Sequence, residues 1–272
     1  MSRISDVLRR SEQRLNHRLE AELLLAHALA RPRTWLYAHG NDPLPPGAAD
    51  QLEKLLQRRL AGEPMAYILG VREFYGREFA VAPAVLIPRP ETELIVDLAL
   101  QRLPSDPCRV VDVGTGSGCI ALTLAAERPD WHVTALDLSA EALAVCGDNA
   151  GRLGLERVRL CESDLLGAVA GERFDAIVSN PPYVAEDDPH LNQGDLRFEP
   201  GCALSAGDHG LAVIKRLISQ ACMALEPAGW LIIEHGHDQG PAVAERMTAS
   251  GLSRIATQRD LAGIERVTLA QR

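Results

Sequence analysis

The chain has 272 residues, of which 46% are hydrophobic, 24% are charged and 4% are aromatic. This composition excludes a disordered, collagen-like or disulfide-stapled chain. The length favours two domains, although one large α/β domain would also fit. The longest apolar stretch, Cys119–Ala126, is interrupted by Thr123, and no apolar signal core follows the N-terminal arginines. We therefore expect a soluble, cytoplasmic protein that does not associate with membranes.

The net charge of −9 is unevenly distributed along the chain. Residues 1–80 carry 12 basic and 10 acidic side chains, whereas residues 81–272 carry 16 basic and 27 acidic side chains. Proteins that hold nucleic acids through their phosphates usually present a basic face. The charge distribution therefore disfavours a general nucleic-acid binder, although a local basic patch stays possible.

The N-terminal segment has the apolar periodicity of helices. Leucines, valines and isoleucines recur at helical spacing from Ile4 to Leu24, and a second apolar stripe runs over residues 48–60. A Pro- and Gly-rich break over residues 41–47 separates the two stripes. These patterns predict a small helical bundle domain over residues 1–65.

Residues 66–88 differ in character from the helical segment before them. The apolar triplets Tyr67–Leu69 and Phe79–Val81 are separated by a segment that contains Gly70 and Gly76. This pattern predicts two short strands in a hairpin, which we interpret as a linker to a second domain over residues 89–272.

From Pro104 onward, strand-like and helix-like segments alternate along the chain. The predicted strands are 109–113, 131–137, 157–161, 174–179 and 230–234, with a closing antiparallel pair at 252–257 and 265–270, and the predicted helices are 117–127, 140–152, 211–225 and 241–250. Such alternation is typical of a parallel sheet with helices on both faces. Ligands of these sheets bind at the carboxyl ends of the strands, where we expect the functional residues.

A glycine-rich loop follows the first strand of this sheet. It consists of Gly114, Thr115, Gly116, Ser117 and Gly118, directly before a predicted helix. Glycines allow close approach of a ligand, and the helix offers free N–H groups. The dinucleotide fingerprint G-x-G-x-x-G is not matched, because Cys119 occupies the position of its third glycine. The loop is similar to the S-adenosylmethionine loop of Rossmann-type methyltransferases, although a tight turn without a ligand is the alternative.

Acidic residues follow the next two strands and extend this candidate cofactor site. Asp137 ends the second strand, roughly 20 residues downstream of the glycine loop, where ribose hydroxyls are usually bound. The alternative role for Asp137 is to cap the helix that begins near Ala140. Asp164 follows the third strand and is a candidate for the adenine edge, and Leu165 for the adenine face, although Asp164 could also be an ordinary loop residue.

The tetrapeptide Asn180-Pro181-Pro182-Tyr183 follows the fourth strand. Two prolines after a buried strand fix the backbone and leave carbonyl oxygens without competing N–H groups. The Asn180 side-chain oxygen and the Pro181 carbonyl can accept both hydrogens of a planar NH2 group, and Tyr183 can pack on its flat face. The tetrapeptide is therefore a candidate catalytic and substrate-binding segment for methyl transfer to nitrogen, with a purely structural turn as the alternative.

Further motifs accompany the tetrapeptide: Phe74–Gly76, Ile87–Glu93, Arg197–Pro200, Glu234–Gly236 and Glu265–Val267. Together with the glycine loop, they resemble the family of peptide chain release factor N5-glutamine methyltransferases (PrmC/HemK), over nearly the whole chain. The resemblance implies a Rossmann-like class I fold, with a seven-stranded, mostly parallel sheet and an N-terminal helical bundle that docks the substrate. It implies that S-adenosylmethionine is the methyl donor and that the acceptor is the glutamine of the Gly-Gly-Gln motif in bacterial class-I release factors, which tunes translation termination.

By this resemblance, the glycine loop, Asp137, Leu165 and Asn180 line the cofactor, and residues 180–183 receive the glutamine. The position of Leu165 is often aromatic in the family, so its aliphatic side chain covers the adenine less fully. Arg89, Glu91, Arg197 and Glu199 also match family motifs, without an assigned role. We expect a monomer that does not bind nucleic acid directly.

Metal binding is not expected from the sequence. The six cysteines include no C-x-x-C pair, and His235 and His237 lack a surrounding ligand cluster. Two other function classes stay open: a DNA or RNA amino-methyltransferase that uses the same tetrapeptide, and a cofactor-binding module without catalysis. The acidic balance of residues 81–272 disfavours the first, and the intact tetrapeptide disfavours the second.

Overall fold

The computed structural model describes residues 2–192, 194–207 and 209–272. The chain divides into two compact units between Gly70 and Val71. In the described ranges, every helix is too short or too polar to cross a bilayer.

The N-terminal unit is helical, as the apolar periodicity predicts. Its described residues form α1 (Ile4–Leu15), α2 (Arg18–Ala28), α3 (Arg33–Ala38), α4 (Ala48–Leu60) and α5 (Met65–Leu69). Leu24 and Leu25 of α2 are fully buried and pack in one core with Leu52 and Leu56 of α4. At the surface, an ion pair also joins two of these helices, since Arg14 of α1 contacts Glu53 of α4 at 2.6 Å.

The prediction of a strand at Tyr67–Leu69 is wrong, because these residues lie in α5. Pro64 precedes the helix, and Gly70, with a φ of 76°, ends it by donating its N–H to the carbonyl of Ala66. Three apolar residues in a row suit a short buried helix as well as a strand, so the triplet alone could not distinguish them.

A hairpin does follow, one segment later than predicted. Its strands β1 (Val71–Phe74) and β2 (Arg77–Ala80) pair antiparallel, and Tyr75 and Gly76 both adopt positive φ in the turn between them. Phe74 and Phe79 are buried in the core of the second unit. The buried Asn149 side chain bonds both the N–H and the carbonyl of Ala80, so the hairpin is part of this second unit.

The second unit is built on a seven-stranded sheet in the described part of the chain. The strands are β3 (Arg109–Val113), β4 (His132–Asp137), β5 (Arg159–Glu162), β6 (Phe174–Ser179), β7 (Leu225–Glu234), β8 (Ser253–Arg259) and β9 (Glu265–Gln271). Their order is β5-β4-β3-β6-β7-β9-β8, and β9 runs antiparallel to both of its neighbours while the other pairs are parallel. The predicted seven-stranded, mostly parallel sheet is confirmed.

Helices cover both faces of this sheet. They are α6 (Glu93–Arg102), α7 (Cys119–Glu127), α8 (Ala140–Leu153), α9 (Gly201–Leu204), α10 (Ala212–Ala224) and α11 (Gly240–Ala249). Adjacent residues of β3 point to opposite cores: Val110 packs with residues of α6, α7 and α8, and Val111 packs with residues of α10 and α11. From β3 the chain adds β4 and β5 on one side of the sheet, and it then adds β6 and β7 on the other side. The strand order therefore reverses between β3 and β6, and such a switch point forms a ligand crevice at the carboxyl ends of the two strands.

Candidate active site

A cavity of about 290 Å³ lies at the carboxyl ends of β3, β4 and β6. Its lining includes nine of the residues that the sequence analysis selected: Gly114, Thr115, Gly116, Ser117, Asp137, Asp164, Leu165, Asn180 and Pro182. The hydroxyl of Ser179 donates to the carbonyl of Val113 at 2.6 Å, which ties the end of β6 to the end of β3. The structure therefore brings the glycine loop and the tetrapeptide together at one cavity.

The glycine loop is held open towards this cavity. Gly114 and Gly116 both adopt positive φ, and a Cβ atom added to either would meet nothing within 4 Å. The N–H groups of Gly114 and Thr115 both donate to the carbonyl of Leu136 at 2.9 Å, which joins the loop to β4. The loop thus presents bare backbone to a ligand.

Gly118 has a different role from the two glycines before it. Among the described residues it is not part of the cavity wall, and an added Cβ atom would stand 2.5 Å from the Sγ atom of Cys146. Gly118 therefore serves the packing of α7 against α8, and a contact between Gly118 and a ligand stays a prediction.

Asp137 is fixed by two backbone N–H groups. Its Oδ2 atom accepts from Gly116 at 2.8 Å, and its Oδ1 atom accepts from Ser139 at 3.0 Å. The alternative role as a helix cap is wrong, because the Ser139 side chain caps α8 by accepting from Ala142. Each carboxylate oxygen keeps a further lone pair for a ligand hydroxyl.

Asp112, which the sequence analysis missed, lies beneath the loop and is completely buried. Its Oδ2 atom accepts from the Thr115 hydroxyl and the Ala121 N–H, while its Oδ1 atom has no hydrogen-bond partner among the described residues. Burial raises the pKa of Asp112 to about 7, although the two hydrogen bonds oppose the shift. Its position two residues before the first glycine of the loop is the sequence feature that could have identified it as a site residue.

Asp164 and Leu165 form the wall near the end of β5. The Asp164 carboxylate pairs with Arg216 of α10 at 2.6 Å, and both side chains are more than half exposed. Leu165 adopts a φ of 52°, and the Ser163 hydroxyl donates to its carbonyl. Leu138 also lines the cavity and is 67% exposed, so a second aliphatic side chain is available to cover a flat ligand.

Buried hydrogen bonds anchor the tetrapeptide beside the cavity, whose lining includes Thr92 as well as Asn180. The Asn180 Nδ2 atom donates to the Thr92 Oγ1 atom at 3.1 Å, and Thr92 donates to the Glu234 Oε2 atom at 2.7 Å. The Tyr183 hydroxyl donates to the other oxygen of Glu234 at 3.1 Å. Burial and the nearby charge of Glu234 raise the pKa of Tyr183, and burial raises the pKa of Glu234 to about 7. Pro181 is buried, and neither it nor Tyr183 is among the described residues of the cavity wall.

Arg89 and Glu199 form an ion pair beside the cavity. Their side chains meet at 2.5 Å, the Glu199 side chain is fully buried, and it also accepts from the Ile87 N–H. Burial raises the pKa of Glu199, although Arg89 opposes the shift. Arg89 lines the cavity, so this pair supports one of its walls. Arg197 lies over the Phe198 ring at 4.8 Å from its centre.

His235 is a packed residue at the end of β7. It is completely buried, and its two ring nitrogens contact the Gly236 carbonyl and the Thr268 hydroxyl, each at 2.8 Å. Within the described ranges, His, Cys, Asp and Glu side chains form no group of three that could hold a metal ion. All six cysteines are free thiols.

Two family models match the chain, one in each unit. Residues 3–70 match the PrmC N-terminal domain, and residues 93–195 match the methyltransferase small domain. The release factor glutamine methyltransferase of Escherichia coli K12 is 47% identical over 254 residues, which cover 93% of this chain and 92% of the relative. The enzyme of the same description from Bordetella pertussis is 51% identical over 253 residues, covering 92% and 93%.

Solved structures of methyltransferases share the fold at low identity. A methyltransferase from Pyrococcus furiosus aligns with a TM-score of 0.55 and 19% identity, covering 80% of this chain and 98% of that chain. The Thermus thermophilus 16S rRNA N2 G1207 methyltransferase, solved with S-adenosylmethionine and guanosine, also aligns with a TM-score of 0.55 and 19% identity, covering 74% and 49%. These structures confirm the Rossmann-like methyltransferase fold of the second unit.

Proposed function

The chain belongs to the family of release factor glutamine methyltransferases, and from that membership we propose that it transfers a methyl group from S-adenosylmethionine to a glutamine side-chain nitrogen of a release factor. The acceptor is the glutamine of the Gly-Gly-Gln motif in bacterial class-I release factors, and its methylation tunes translation termination. The observation that carries the proposal is the meeting of Asn180 and the glycine loop at one cavity.

The residues around the cavity suit S-adenosylmethionine. The open backbone at Gly114 and Gly116 allows close approach, and the Asp137 carboxylate has lone pairs for the ribose hydroxyls. Leu138 and Leu165 offer aliphatic surface for the adenine face. Asp164 is part of the same cavity wall and is placed to contact the adenine edge. When bound, this cofactor supplies an electrophilic methyl group.

The tetrapeptide orients the acceptor nitrogen. The Asn180 side-chain oxygen and the Pro181 carbonyl accept the two hydrogens of the glutamine NH2 group, and Tyr183 packs on its flat face. Because methyl transfer is an in-line displacement, this orientation accounts for most of the rate. No strong general base is required, since the nitrogen loses its proton only after it has become positive.

Two further features of the proposal concern the substrate protein. The N-terminal helical unit, which matches the PrmC N-terminal domain, docks the release factor. The protein acts as a monomer in the cytoplasm and does not hold nucleic acid, in keeping with the acidic balance of residues 81–272.

A label-transfer assay tests this function. Methyl-labelled S-adenosylmethionine is incubated with the protein and one of three acceptors: an unmodified class-I release factor, a Gly-Gly-Asn variant of that factor, or duplex DNA. We expect label on the unmodified factor alone. Label on DNA would reject a protein substrate, and equal label on the Gly-Gly-Asn variant would reject the proposed glutamine.

A further inference from the structure

A chain of hydrogen bonds connects three segments that are distant in sequence. Glu234 ends β7, Thr92 directly precedes α6, and Asn180 follows β6. The Thr92 Oγ1 atom lies 2.7 Å from the Glu234 Oε2 atom and 3.1 Å from the Asn180 Nδ2 atom. Glu234 thus acts on Asn180 through Thr92.

The donors and acceptors in this chain determine which end of the Asn180 amide faces the cavity. An asparagine amide can rotate by about 180° and exchange its oxygen and nitrogen positions with almost no change in shape, so only its hydrogen bonds fix its orientation. An ionised Glu234 can only accept, and the single Thr92 proton is therefore directed to it. The Thr92 oxygen must then accept from Asn180, which leaves the Asn180 oxygen free for a substrate N–H.

Burial prevents water from replacing these partners. Thr92 is 2% exposed and Glu234 is 1% exposed. Hydrogen bonds in such a low-dielectric environment are stronger and less exchangeable than those at the surface. The second oxygen of Glu234 accepts from the Tyr183 hydroxyl, so one carboxylate anchors both ends of the tetrapeptide.

We propose that Thr92 and Glu234 are positioning residues, which hold the Asn180 amide with its oxygen towards the substrate nitrogen. This inference rests on the proposed function, because it assigns a direction to the Asn180 side chain that accepts the glutamine NH2 group. Thr92 acts by bonding the Asn180 Nδ2 atom, and Glu234 acts by accepting the Thr92 proton.

The charge of Glu234 determines which groups donate and which accept in this series of hydrogen bonds. Thr92, directly before α6, and Tyr183 of the tetrapeptide both donate hydrogen bonds to Glu234. The charge of Arg266 from β9 lowers its pKa, and the charge of Glu91 raises it. The neutral, buried Cys119 thiol also lies nearby. Burial raises the pKa of Glu234 to about 7. A protonated Glu234 can instead donate to Thr92. The Thr92 proton is then free to be donated to the Asn180 oxygen, so the Asn180 amide rotates by half a turn and its oxygen no longer faces the substrate. Turnover therefore increases as the pH rises through this pKa.

Substitutions at Thr92 test the proposal with little change in side-chain volume. Thr92→Val removes the hydroxyl, and we expect kcat for release factor methylation to fall about tenfold, the loss typical of one orienting hydrogen bond. Thr92 also lines the cavity, but its hydroxyl is bonded to Glu234 and Asn180, so the KM for S-adenosylmethionine should stay within about twofold. Thr92→Ser keeps the hydroxyl and should restore most of the turnover. Thr123→Val is the matched control, since Thr123 is also fully buried but its hydroxyl has no partner among the described residues.

Two more variants separate positioning from a general structural role. Thr92→Val should cause no further loss in an Asn180→Ala background, whereas a structural effect would add to it. Glu234→Gln cannot accept from both Thr92 and Tyr183, and it should abolish the increase of kcat near pH 7. This second variant carries the test if Thr92→Val does not fold.

The outcomes of these experiments distinguish a failure of the positioning roles from a failure of the proposed function. No transfer to a release factor by the wild-type protein would reject the proposed function, and the positioning roles with it. Wild-type transfer, together with unchanged kcat in Thr92→Val or an unchanged pH profile in Glu234→Gln, would overturn the positioning roles alone.

Discussion

Gly118 lies so close to Cys146 that a Cβ atom on the glycine would stand 2.5 Å from the cysteine Sγ atom. The same added atom would stand 2.9 Å from a methyl carbon of Leu122, and the backbone φ of Gly118 is 83°. Both the space and the backbone conformation therefore require glycine at the start of α7. This contact sets the distance between α7 and α8 at the end of the glycine loop.

We expect Gly118→Ala to reduce the free energy of unfolding by about 3 kcal/mol, from positive-φ strain and overpacking together. Urea denaturation measures this loss. Gly151→Ala is the control: Gly151 lies inside α8 with nothing within 4 Å of an added Cβ atom. Alanine there should stabilise the protein by about 0.5–1 kcal/mol. An unchanged stability of Gly118→Ala would contradict the packing role.

Asp137→Ala should weaken S-adenosylmethionine binding by about tenfold or more, because it removes the acceptor for the ribose hydroxyls and releases the Gly116 N–H. Isothermal titration calorimetry measures the Kd. Asp148→Ala, at an exposed position of α8, is the charge-matched control and should leave the Kd unchanged. An unchanged Kd for Asp137→Ala would remove Asp137 from the cofactor site.

The buried carboxyl of Asp112 makes stability depend on pH. Its pKa is raised to about 7 in the folded protein, from an ordinary value of 3.8. The folded state therefore keeps a proton that the unfolded state has lost, and the stabilisation that this provides is full below pH 3.8 and lost as the pH rises through 7.

We expect the difference in unfolding free energy between the wild type and Asp112→Asn to shift against the wild type by more than about 1 kcal/mol from pH 5 to pH 8. Comparison with the variant isolates Asp112 from other groups that titrate in this range, such as His235, whose pKa burial lowers. Urea denaturation at both pH values provides the measurement. A difference that does not change with pH would show that Asp112 is already ionised at pH 5.

Much of the second unit could be predicted from the sequence. The strand over 174–179 matches β6 at both ends, because a buried parallel strand is an apolar run bounded by polar residues. Topology then brought the motifs together, since the carboxyl ends of parallel strands lie at one edge of the sheet. The glycine loop, Asp137 and Asn180 were therefore predictable as one site.

The support of the tetrapeptide could not be predicted in the same way. Thr92 and Glu234 are 142 residues apart, and no local pattern indicates that their side chains meet. Both lie in segments that carry the family resemblance, at 87–93 and 234–236, but a motif does not show which atoms it contacts. Helix α6 was also missed. It lies between the predicted hairpin and the first predicted strand, in a segment to which no element was assigned.

Asn180→Ala should lower turnover about 10²-fold or more, by removing a preorganised acceptor for the substrate NH2 group. S-adenosylmethionine binding should stay measurable in this variant, since the glycine loop and Asp137 are unchanged. Single-turnover methylation of a release factor and calorimetry of cofactor binding separate the two effects. Normal turnover would remove Asn180 from the catalytic machinery.

The central claim is that this chain methylates the side-chain nitrogen of one glutamine, and peptide mapping by mass spectrometry tests it most directly. An unmodified class-I release factor is treated with the protein and S-adenosylmethionine, digested, and sequenced by fragmentation. We expect one added methyl group, on the glutamine of the Gly-Gly-Gln motif and on no other residue. A methyl group on a different side chain, or an unmodified Gly-Gly-Gln peptide, would contradict the account.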